Sequence, residues 1–212
     1  MPRYAPYTAH GLDDIYNMVF ADDLELFRDP SEQPEDPPFS TLFAEPAPID
    51  ELIAMARDPD QESRIRALAY RRLNSVGRPL DDRVLLGTIV EKAMPGGLDT
   101  LAVYADRRVR YINQGGKLVV LEPPVPDDAE PLIAELCRAS DAVIASIGPS
   151  TEDRLAPPTG DVLRLTWLVG GELYFGQGPS DVLSRDPMGG SVFARATRVL
   201  LYMIDLGSKR NI

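Results

Sequence analysis

The sequence predicts an α+β fold: an antiparallel meander sheet of about six strands, with helices packed on one face and a helical N-terminal region. Three observations predict it. Apolar residues recur at helical spacing before, between and after two blocks of β-type sequence. The breaks inside those blocks are Pro95-Gly96-Gly97, Asp106-Arg107, Gly115-Gly116 and Gly170-Gly171. Such residues tolerate positive φ in tight hairpins, and connections this short cannot form the crossovers that parallel strands need. Finally, 212 residues with 44% hydrophobic and 26% charged content suffice to bury an independent core.

The elements follow in chain order. Leu12, Ile15, Tyr16, Val19 and Phe20 form one helical stripe, with Asp13 and Asp14 in the first turn, where the helix dipole favours anions. From Pro30 to Pro48, six prolines fix φ and remove donors. That segment reads as an extended strap, held to the surface by the apolar clusters at its ends. Helices are expected over Ile49–Ala56 and Asp60–Val76, the second stopped by Gly77 and Pro79 and carrying a basic face of Arg64, Arg66, Arg71 and Arg72. Strands are expected at Leu85–Val90, Thr100–Ala105, Arg108–Asn113 and Leu118–Leu121. A helical stripe from Leu132 to Ile147 ends at Gly148-Pro149. Val162–Val169 and Glu172–Phe175 flank Gly170-Gly171, the clearest hairpin signal in the chain. A last helix follows Ser191 and closes at Gly207.

This order places an acidic helix and strap over residues 1–48 and a single α+β domain over 49–212. It resembles the profilin and roadblock type of sheet, in which terminal helices pack on a meander. The likeness is one of topology and transfers no function.

Charge is unevenly distributed. Residues 1–60 hold fourteen acids against three bases, which accounts for the whole net charge of -11, and the remainder is balanced. Binding a phosphate backbone requires concentrated positive charge, so the composition argues against nucleic acid and for either a basic protein partner or an acidic surface that serves solubility. No apolar run reaches the ~20 residues that span a bilayer, and the first twenty residues lack a secretory pattern. With one unpaired cysteine, the expected setting is the cytoplasm, without membrane attachment. The free edge of an antiparallel sheet also allows a homodimer.

The chemistry-bearing residues are few. One histidine, His10, and one cysteine, Cys137, exclude paired-histidine and cysteine metal sites, and no metal is expected. Cys137 lies in an apolar stripe, where a thiol is a small buried hydrophobe. Asp22, Asp23 and Glu25 lack the alternation and turn glycine of a calcium loop. No glycine-rich segment matches a phosphate or dinucleotide loop, so no cofactor is expected. Two groups remain as candidate ligand or partner sites. Gly189, Gly190 and Ser191 lead into a helix N-terminus, where free amides can hold an anion. Arg108, Arg110 and Lys117 make one hairpin basic, with the two arginines on the same strand face. The expected function is a non-catalytic interaction or regulatory module. The alternative is a small histidine-independent enzyme that binds an anionic substrate through these three cations, with Asp106 moving a proton.

Overall fold

The computed structural model describes residues 2–28 and 36–209. Helix α1 spans Leu12–Met18 and is followed by a 3-10 turn at Leu24–Phe27. After α2 (Phe39–Leu42) come α3 (Ile49–Arg57) and α4 (Ser63–Ser75), then strands β1 (Leu85–Met94), β2 (Gly97–Tyr104), β3 (Val109–Ile112) and β4 (Leu118–Leu121). Helix α5 (Glu130–Ile144) leads to β5 (Val162–Val169) and β6 (Glu172–Pro179), and the chain closes with α6 (Ser180–Leu183) and α7 (Gly189–Lys209). The strands form one antiparallel sheet in the order β4-β3-β2-β1-β5-β6. The α+β class and the meander stand as the turn residues indicate. The β5–β6 hairpin adds to the free edge of β1, with Val90 opposite Leu165.

One face of the sheet carries Val90, Leu101, Val103, Leu163, Leu165 and Trp167, covered by Ile133, Leu136 and Val143 of α5 and by Val192, Ala196, Val199 and Met203 of α7. Helices cover both faces rather than the one expected, with the N-terminal helices on the opposite face. There Leu12, Tyr16, Leu52, Leu68 and Leu73 pack on Leu86, Ile89, Ala102, Tyr104, Ile112 and Leu168. The physical reason is visible in β1 and β5, where consecutive residues are buried, so both faces of these central strands must be covered. Tyr7, Leu12, Tyr16, Val19 and Phe20 therefore share a core with α3 and α4. Pro30 and Pro34 of the expected strap lie outside the described residues, while Leu24, Phe27 and Phe39 on either side pack against that core.

Two helix starts are capped by acidic side chains. The Asp106 carboxylate accepts the Ser63 backbone N–H at 2.7 Å, and Ser63 Oγ accepts the Asp106 N–H at 3.1 Å, so the β2–β3 turn caps α4. At α7, Asp186 Oδ1 accepts from Met188 N at 3.0 Å and Gly189 N at 2.6 Å. No helix among the described residues is long and apolar enough to cross a membrane.

Candidate functional site

The Gly170-Gly171 turn has φ of 51° and 81°, conformations that glycine adopts without steric cost. It is wedged into the fold. A Cβ on Gly170 would lie 2.4 Å from the Asp82 carbonyl oxygen, and one on Gly171 would lie 2.6 Å from Tyr70 Cβ. Three contiguous clefts surround this turn. The largest, about 660 Å³, is lined by Asp81, Asp82, Arg83, Glu172 and Tyr174. A second of about 560 Å³ runs past Asp22, Asp23, Glu25, Arg71 and Arg72. The third, about 210 Å³, lies between Arg71, Glu152, Asp153, Arg154 and Glu172. Glu172 borders the first and third clefts, and Arg71 borders the second and third.

The charged groups of this region divide into two sets. Asp82 accepts from Arg57 Nε at 2.7 Å, which holds its carboxyl below the usual aspartate range. Asp23 pairs with Arg3 and Glu25 with Arg28, each at 2.9 Å. Arg72 pairs with Glu45, and Arg83 donates to the Ile147 carbonyl at 2.8 Å. Asp81, Glu152, Asp153 and Glu172 form no ion pair among the described residues, and all four are exposed. Arg71 likewise makes no hydrogen bond or ion pair there. Burial lowers its pKa, and the nearby charges of Asp22, Asp153 and Glu172 oppose that shift. The clefts thus offer four unpaired carboxylates around one unpaired guanidinium.

A buried charge network holds the floor of the third cleft in place. Arg154 Nε lies 2.9 Å from Asp22 Oδ2, and its Nη2 donates to the Pro2 carbonyl and to Asn17 Oδ1, both at 2.8 Å. Its guanidinium sits 4.3 Å from the Phe20 ring centroid. Deeper in, Tyr16 donates to Glu91 Oε1 at 2.7 Å, and Arg164 approaches the other Glu91 oxygen at 3.6 Å. Burial raises the pKa of both carboxyls, outweighing the neighbouring arginines.

The residues singled out from sequence fall elsewhere. Arg108 and Arg110 do share a carboxylate, Glu122, but Arg108 is also held by Asp106 at 2.9 Å, and Arg110 Nη1 donates to the Val109 carbonyl at 3.1 Å. Lys117 sits at the opposite end of that hairpin, where its backbone N–H donates to Asn113 Oδ1. The three cations are therefore not brought together. Asp106 is fully engaged by Ser63 and Arg108. At Gly189 and Gly190 the amides are already met by Asp186, through Oδ1 and the backbone carbonyl respectively, and Arg195 donates to Ser191 Oγ at 2.7 Å. His10 is exposed in the turn before α1. Burial pushes the Cys137 thiol up to about 11, away from nucleophilic use. No group of three metal-ligating side chains occurs among the described residues.

In the sequence Arg71 belongs to a basic helix face and Gly170-Gly171 to a hairpin turn, and no local pattern links them. Arg154, Glu152 and Asp153 lie in a loop that carries no pattern to mark them. Comparison with protein-family models, curated proteins and solved structures finds no match to this chain.

Proposed function

We propose that this protein is a non-catalytic interaction module whose clefts around the β5–β6 turn receive a basic segment of a partner protein. One observation carries the proposal: Asp81, Glu152, Asp153 and Glu172 line contiguous clefts and form no ion pair among the described residues, so these four acids outnumber the one nearby unpaired cation, Arg71. Exposed ion pairs contribute only ~0.2–1 kcal/mol each. Such a surface therefore favours fast encounter and choice of partner over raw affinity. The same charge repels a nucleic-acid backbone. A cytoplasmic setting suits the single free thiol. Edge strands β4 and β6 leave a homodimer open as the assembled form. The alternative of an enzyme built on Arg108, Arg110 and Lys117 draws no support from that hairpin, because local acids occupy both arginines.

Hydrogen exchange with and without a short peptide of lysine, arginine, glycine and serine tests the location. Protection of the backbone over residues 79–84 and 150–154 is expected. Protection confined to other parts of the surface overturns the proposal.

A further inference from the structure

On the other side of the sheet, between β1–β3 and α7, lies a cavity of about 130 Å³. Leu101, Phe193, Ala196 and Leu200 give it apolar walls. Its mouth carries charge of both signs. Lys92 and Asp99 are register partners across β1 and β2, so their side chains leave the same face side by side. Opposite charges so placed normally pair, yet each turns to another group. Lys92 Nζ donates to Ser180 Oγ at 3.3 Å, while Asp99 accepts from Gln114 N at 2.7 Å and Tyr111 Oη at 3.3 Å.

An ammonium has three donors and a carboxylate about four acceptor positions, so both retain capacity. A ligand with one charge would satisfy one rim group and meet like charge at the other. A zwitterion satisfies both. The cavity falls well below the ~300–1,000 Å³ of sites for larger ligands, which limits the apolar part to a few carbons.

We propose that this cavity binds a free apolar α-amino acid, with its carboxylate on Lys92, its ammonium on Asp99 and its side chain among Leu101, Phe193, Ala196 and Leu200. The site is independent of the clefts around Gly170-Gly171.

Calorimetric titration of the full chain with L-leucine tests it. Two analogues separate the charges: 4-methylpentanoate lacks the ammonium and 3-methylbutylamine lacks the carboxylate. L-leucine binds, and each analogue binds at least about tenfold more weakly, as expected when a rim charge is left unmatched. Lys92→Met, at the partly exposed rim, lowers leucine affinity by a similar factor without lowering the unfolding temperature. Ala196→Leu fills the cavity and abolishes binding. Absence of leucine binding at millimolar concentration, equal affinity for either analogue, or unchanged affinity in Lys92→Met would each overturn the proposal.

Discussion

Asp22 and Arg154 meet at 2.9 Å with side chains 0% and 2% exposed, joining the N-terminal segment to the loop that precedes β5. Removing one member strands the other as a buried charge. Arg154→Met is therefore expected to cost about 3–5 kcal/mol. Replacing both, as Asp22→Leu with Arg154→Met, recovers a large part of that loss, because a buried pair exchanged for apolar groups is often near neutral. Urea unfolding followed by fluorescence of Trp167, the single tryptophan, checks this. A loss below about 1 kcal/mol in the single variant contradicts the assigned role.

Glu91 sets a pH dependence. Burial holds its carboxyl above the ordinary glutamate value of 4.5, so the native state keeps a proton at a pH where the unfolded chain has released it. Stability from this source is complete below the unfolded value and is lost as pH rises through the native one. Asp22 is displaced in the same direction. Unfolding free energy should therefore rise as pH falls from neutral toward 4.5, and Glu91→Gln, which cannot titrate, should show a flatter profile. Equal slopes in the two proteins would refute this.

Gly171 has no room for a methyl group. Gly171→Ala is expected to cost about 2–4 kcal/mol, combining left-handed backbone strain with displacement of Tyr70 and the α4 backbone. Gly176→Ala in β6 meets nothing within 4 Å and serves as the control. Similar unfolding midpoints for the two variants would show that the turn is not wedged.

Turn chemistry made most of the sheet legible in the sequence. Glycine at 96, 116, 170 and 171 takes positive φ, as the hairpins require. Strand β1 runs past Val90 to Met94 because Glu91, polar in sequence, is accommodated in the core by Tyr16 and Arg164. Those partners lie 75 and 73 residues away, so no local pattern could show them. The caps illustrate the same limit. Asp60 and Ser191 stand where a local cap belongs, yet Asp106 and Asp186 fill the role, the first from a turn 43 residues distant. The cleft depends on three separate segments converging on Gly170-Gly171, a convergence encoded only in tertiary packing.

The most direct measurement compares two triple variants of equal net charge for affinity to the basic peptide. The first neutralises the cleft by Glu152→Gln, Asp153→Asn and Glu172→Gln. The second neutralises exposed acids elsewhere by Asp14→Asn, Asp127→Asn and Asp181→Asn. The cleft variant is expected to lose affinity by about tenfold or more while the second stays within about twofold of the parent, since local rather than overall charge sets recognition. Equal losses in both would mean that the peptide responds only to net charge, contradicting a built site at the β5–β6 turn.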